Sequence, residues 1–146
     1  VILYMLFPKK VKFRKMFTDR KHPDKDARPD TRGISLAFGS FGLKATTHAR
    51  VTSNQIEASR KAIARYVSKT GKVWIRIFPD RPFTQKPAEV KMGKGKGDPV
   101  GFIFPVKAGR ILFEVDGIDE TLAKEALRKA GTKLPVKSRV VSRVIA

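Results

Sequence analysis

The sequence predicts an α+β domain. Three observations carry this expectation. Short extended segments and two amphipathic segments follow one another in the order strands, helix, strands, helix, strand. The links between neighbouring extended segments are short, which pairs strands directly instead of through crossover helices. The 146-residue chain is 41% hydrophobic and holds 10 Phe, enough for one compact core that buries roughly 70% of the surface of the unfolded chain. The expected architecture is a mixed or antiparallel sheet with two helices packed on one side. A basic N-terminal arm (1–32) precedes the domain (33–138), which carries a flexible loop at 84–99, and a basic tail (139–146) follows it.

In the arm, Lys9, Lys10, Lys12, Arg14 and Lys15 crowd the first half, with Val11, Phe13 and Phe17 interleaved as in a strand packed on the body. Asp19, Asp24, Asp26 and Asp30 dilute the second half, and the polar stretch from His22 to Asp30 reads as a solvated loop. From Gly33 to Phe41, Ile34, Leu36 and Phe38 alternate with Ser35 and Ala37, the period of a half-buried strand, and Gly39 and Gly42 punctuate its end.

A helix follows. Thr52 and Gln55 have the spacing of a capping box, Val51 and Ile56 that of the accompanying hydrophobic staple, and Gly71 is the expected stop, giving a length of about 27 Å. Ile56, Ile63, Tyr66 and Val67 share a face, and Arg60, Lys61, Arg65 and Lys69 mostly lie off it. "KVWIRIF", Lys72 to Phe78, is β-branched and aromatic and reads as a strand near the centre of a sheet, closed by Pro79. It sends Val73, Ile75 and Ile77 one way and Trp74, Arg76 and Phe78 the other. Two readings of Arg76 stand open: a partner to a carboxylate on a covered face, or a cation at a nucleic-acid surface.

Pro82 and Pro87 lead into the Gly/Lys loop, after which strands near 101–106 and 110–115 meet at Lys107-Ala108-Gly109. The second helix starts behind Asp119 as N-cap, with Glu120 in the first turn, and ends at Ala130 before Gly131. Leu122, Ala123, Ala126 and Leu127 are its expected core stripe. Leu134-Pro135-Val136 opens a last extended segment that runs into the basic tail.

The charge narrows the function. Against 32 Lys and Arg stand 13 Asp and Glu, a net charge of +19, and an excess this large selects a polyanion as partner. The chain has no Cys, which removes disulfides and thiolate chemistry. The apolar start, Val1 to Phe7, has its basic residues on the wrong side for a secretory signal and is too short to span a bilayer, so an intracellular protein without a membrane partner is expected. His22 and His48 fall in loops without a nucleophile pattern, no cluster has metal-ligand spacing, and a turn and a helix cap account for Asp116, Asp119 and Glu120. No enzyme, cofactor or metal is expected.

"KMGKGKGDP", residues 91 to 99, is not a nucleotide loop: it lacks the Ser/Thr, the spacing and the following helix that a phosphate loop requires. Glycines at alternate positions with ammonium groups between them let a backbone lie close against a polyphosphate. The plainer reading is a solvated linker. Charge on the arm, helix, loop and tail favours one shared anionic surface, with RNA and DNA both open and a free DNA- or tRNA-binding protein as the alternative.

The blocks "FPKKVKFRKMF", "FGSFGLKA", "TSNQIEASRKAI", "GKVWIRIFPDRPFTQKPAEVKMGKGKG", "GRILFEVDGI" and "LAKEALRKAGTKLPVKS" resemble, in this order, the bacterial-type L-sixteen/L-ten-e family of large-subunit ribosomal proteins. The resemblance runs from about Met5 to Ser138. It implies a hammerhead-like β motif with two helices, bound to large-subunit rRNA at the base of the central protuberance. It also implies a part in organising the aminoacyl-tRNA site near the peptidyl-transferase region and in late subunit assembly. The implied partners are large-subunit rRNA, tRNA and neighbouring large-subunit proteins, without homo-oligomers, on a cytoplasmic ribosome, with an organellar one left open. By position, the tRNA-site loop is Lys91, Met92, Gly93, Lys94, Gly95, Lys96 and Gly97, and the RNA-binding cations are Lys9, Lys10, Lys12, Arg14, Lys15, Arg60, Lys61, Arg65, Lys72 and Arg76. Phe and Trp are expected mostly to pack the core. The chain departs from the family pattern in Lys91, where Arg is common and would offer a two-pronged fork, in Asp98, where Asn is common, in "VGFIFPV", which lacks an aromatic pair, and in a longer, more acidic stretch after Phe17.

Overall fold

The computed structural model describes residues 6–17, 28–67 and 69–143. The elements are β1 (Phe41–Ala45), β2 (Ala49–Thr52), α1 (Ser53–Tyr66), β3 (Lys72–Ile75), β4 (Arg81–Gln85), β5 (Asp98–Val106), β6 (Ile111–Asp116), α2 (Glu120–Gly131) and β7 (Ser138–Ser142). They make two antiparallel sheets, one in the order β3-β6-β1-β7 and one in the order β2-β5-β4. The α+β class is as the sequence predicts, with two sheets in place of one. The stretch from His22 through residue 27 and the last three tail positions lie outside the described residues.

β6 is the keel of the larger sheet. It is an apolar run broken by one glutamate, and Ile111 to Val115 are all buried. Its register sets the two faces. Phe113 pairs with Leu43 and Ile75, and Val115 with Phe41 and Val73, so these side chains share the face that meets the helices. α1 and α2 pack together over it. Small residues allow the close approach: Ser59 and Ala130 are both fully buried, and the Ser59 hydroxyl donates to the Ala130 carbonyl at 3.2 Å.

α1 begins as predicted. Thr52 Oγ1 accepts from the Gln55 N–H at 3.4 Å while Gln55 Oε1 accepts from the Thr52 N–H at 2.9 Å. The helix stops at Tyr66, well before Gly71, because Val67 leaves the helical region with ψ 103. α2 runs from its Asp119 cap as expected, but Leu122 is 45% exposed and Ala130 takes its place on the buried stripe.

Four expectations about strands are corrected. β3 is an edge strand, paired only with β6. β4 was hidden by Pro82, which the ladder tolerates because β4 is itself an edge. The strand expected over Gly33 to Phe41 is an irregular segment up to Ser40, and β1 starts at Phe41. Its N–H groups at Ala37, Phe38 and Gly39 go to the Glu114 carboxylate, at 3.2, 2.7 and 2.7 Å, instead of to a neighbouring strand. Segment 33–40 thereby lids the second face of the sheet, where Gly42, Glu114 and Trp74 lie in one register row. Ser138 to Ser142, read in part as tail, are a strand of this sheet.

The aromatic expectation is corrected too. Among the described Phe residues, Phe113 alone is fully buried, whereas Phe7, Phe13, Phe17, Phe38 and Phe78 are exposed by 42 to 91%. Several carry a cation on the ring: Lys12 on Phe13 at 5.5 Å, Lys96 on Phe17 at 5.6 Å and Arg110 on Phe104 at 5.3 Å.

Candidate nucleic-acid interface

The β4–β5 hairpin projects the Gly/Lys loop from the smaller sheet. Lys91, Met92, Gly93, Lys94, Gly95 and Lys96 are exposed and Gly97 is half-buried. Gly93, Lys94 and Gly95 have φ of 98, 53 and 92, three successive residues on the left-handed side. A Cβ at Gly93 or Gly95 would meet nothing within 4 Å, so conformation and not space calls for glycine there. Three turned-back residues push backbone and ammonium groups outward. The Lys86 Nζ holds the base of the turn by donating to the Gly93 carbonyl. Between loop and stem lies a cleft of about 460 Å³ bordered by Gln85, Lys86, Met92 and Lys96.

The arm packs against this loop. Lys9, Lys10, Lys12 and Arg14 are exposed and Lys15 is half-buried. Phe7 fixes one end, edge-on to Phe102 at 5.9 Å, and the Arg81 guanidinium fixes the other by donating to the Phe17 carbonyl. Over residues 6–17 the arm is irregular and not the strand its alternation suggests. Lys15 Nζ donates to the Lys96 carbonyl at 3.2 Å and lies 4.0 Å from the Asp98 carboxylate. Lys96 Nζ donates to the Met16 carbonyl. The structure therefore brings two of the sequence-predicted groups, arm and loop, into one basic surface.

The remaining predicted cations sit elsewhere. Lys61 and Arg65 are exposed on α1, and Lys72 is exposed where β3 begins. Among the described residues no hydrogen bond or ion pair joins them to the arm or the loop. Arg60 forks onto Glu57 at 2.7 and 2.9 Å. That hydrogen bond holds the Glu57 carboxyl below its ordinary value and the Arg60 guanidinium above its own. Arg76 takes the covered of its two readings. It pairs with Glu114, also reaches the Ser35 carbonyl at 3.3 Å, and stacks on Phe38 at 5.3 Å, and its side chain is only 19% exposed. Phe38 in turn stacks on Trp74 at 6.0 Å.

One basic feature was missed from the sequence. His48, Arg50, Arg81 and Lys107 line a cleft of about 350 Å³ on the smaller sheet. The signal lies in strand pairing: Arg50 is opposite Pro105 and Arg81 opposite Ile103, so both arginines stand on one face of β5. No sequence spacing brings residues 48, 81 and 107 together. Among the described residues, no group of three or more His, Asp and Glu could hold a metal ion, and no helix is long and apolar enough to cross a membrane.

The family described as Ribosomal protein L16p/L10e matches residues 8–141. Proteins named Large ribosomal subunit protein uL16 are similar along nearly their whole length. That of Parabacteroides distasonis is 52% identical over 139 residues, covering 95% of this chain and 93% of its own. That of Halorhodospira halophila is 50% identical over 141 residues, covering 97% and 99%. That of Afipia carboxidovorans is 50% identical over 140 residues, covering 96% and 98%.

Proposed function

The chain belongs to the L-sixteen/L-ten-e family of ribosomal proteins, a family of structural, non-enzymatic components, and from that premise we propose that it is a constituent of the large ribosomal subunit which binds large-subunit rRNA. It helps shape the aminoacyl-tRNA site near the peptidyl-transferase region and supports late subunit assembly. Its partners are rRNA, tRNA and neighbouring large-subunit proteins. The observation that carries this is the joined surface of arm and loop: cations left exposed, on glycine-opened backbone that no other part of the described fold covers.

The chemistry suits ribose-phosphate chains. Lys9, Lys10, Lys12 and Arg14 on the arm and Lys91 and Lys94 on the loop offer point charges and a guanidinium to phosphates, and exposed Phe13 and Phe17 offer faces on which unpaired bases stack. Lys61, Arg65 and Lys72 form a second contact group around the end of α1. Peptide-bond chemistry would belong to RNA, with this chain positioning the tRNA acceptor arm beside the loop.

The test is sedimentation of a tagged chain expressed in bacterial cells. Co-migration with large subunits, lost on raising salt, supports the reading. A chain that stays in the soluble fraction and binds DNA or free tRNA equally well would overturn it.

A further inference from the structure

The lysines at the hairpin tip fall into two classes. Lys91 and Lys94 are exposed and, among the described residues, have no partner. Lys96 instead turns back onto the arm, and an arm lysine reaches forward onto Lys96. Lys15 Nζ donates to the carbonyl of Lys96, and Lys96 Nζ donates to the carbonyl of Met16, the residue after Lys15. We infer that Lys15 and Lys96 form a reciprocal latch that fuses arm and loop into one binding surface, with Lys91 and Lys94 as its outward phosphate contacts and Lys96 as a positioning residue.

Two ammonium groups on facing segments in a chain of net charge +19 repel one another. Each is compensated locally. Lys15 has the Asp98 carboxylate at 4.0 Å, and Lys96 has the face of Phe17 at 5.6 Å. A single exposed contact of this kind contributes little. Here two contacts join the same two segments across 81 and 80 residues of sequence, so forming the first removes most of the closure entropy of the second. The consequence is a division of labour. A phosphate that drew Lys96 away would open the latch and leave the arm held only by the Phe7 and Arg81 contacts, whereas one bound by Lys91 or Lys94 leaves the latch closed.

Only the RNA part of this inference rests on the function proposed above, and the test separates the two. The chain has no cysteine, so Met92→Cys, at a side chain 93% exposed, accepts a single nitroxide label. In the free full-length protein the label should broaden the backbone amide signals of Met16 and Phe17. Lys15→Ala and Lys96→Ala should each lower that broadening to roughly half, and Lys94→Ala should leave it unchanged. Equal broadening in all variants overturns the latch.

Binding of large-subunit rRNA is the second arm. Lys15→Ala and Lys96→Ala should each weaken it about fivefold, and the double variant by no more than either single, because both remove one coupled unit. Losses that multiply would overturn the latch in favour of two independent phosphate contacts. Should the label report the latch while the unaltered chain ignores rRNA, the latch stands and the rRNA reading falls.

Discussion

The Arg76 guanidinium, one residue past the end of β3, closes the buried carboxylate of Glu114 on β6. Glu114 has no exposed surface, and the same carboxylate accepts the N–H groups of Ala37, Phe38 and Gly39. One acid thus organises the strand edge and the lid over it. Removing one member of a buried pair strands the other, which costs about 3 to 5 kcal/mol. Arg76→Ala should therefore lower the unfolding free energy by about 3 kcal/mol in urea titration. A variant with an unchanged urea midpoint and weakened RNA binding would instead place Arg76 at the interface.

The same carboxylate sets a pH dependence. Burial alone pushes Glu114 up, and it is the largest single effect, but the N–H groups of Gly39, Phe38 and Ala37 and the Arg76 guanidinium outweigh it and hold the carboxyl below its ordinary value of 4.5. The folded protein then binds this proton less readily than the unfolded chain, so stability rises with pH across the interval between the two values. The contribution is complete above about pH 4.5 and is lost as pH falls through the folded value. Glu57 and Asp116, also lowered, act in the same sense, through Arg60 and Ser40 respectively. Unfolding free energies measured downward from about pH 6 should fall less steeply in Glu114→Gln than in the unaltered chain. Parallel curves would remove Glu114 from the acid response.

What was legible in the sequence was local. The Thr52–Gln55 box and the Asp119 cap involve partners two or three residues apart, and both are formed. The period-2 pattern at 34–38 misled because its amides found a stronger acceptor 76 and 77 residues away, in a strand whose glutamate looks from sequence like an interruption. β4 was obscured by a proline that only the finished topology makes harmless. In the interface, composition pointed to the lysines of arm and loop. Which of them hold the surface together and which face outward depends on packing between residues 15–17 and 96–98, and spacing along the chain carries no trace of that.

Gly39 tests how tightly the lid is seated. A Cβ there would lie 2.6 Å from the Val115 carbonyl oxygen and 3.0 Å from the carbonyl carbon and the nitrogen of the same residue. Backbone of the central strand cannot yield as a flexible side chain would. Gly39→Ala should cost about 2 kcal/mol, within the range for overpacked interiors, and should loosen the Ala37, Phe38 and Gly39 amides together in hydrogen exchange. Full protection of those amides in the variant would show that the lid tolerates the shift.

Lys91 and Lys94 test the interface itself, because they are exposed and without partners among the described residues. Removing them should leave the urea midpoint unchanged. If each neutralises one phosphate, the double variant Lys91→Ala, Lys94→Ala should lower the slope of log affinity for rRNA against log salt by about 1.4 to 1.8, the sum of two contacts at roughly 0.7 to 0.9 each. The control removes the same charge at a distance: Lys129→Ala with Lys133→Ala, at the end of α2 and just beyond it, both exposed. A loss of net charge acts through the general field, which salt screens within about 10 Å at 0.1 M, whereas contact releases counterions one by one. The loop pair should therefore reduce the slope clearly more than the α2 pair. Equal reductions would mean that the loop contributes only its share of the overall charge and that its glycines serve no approach to phosphate.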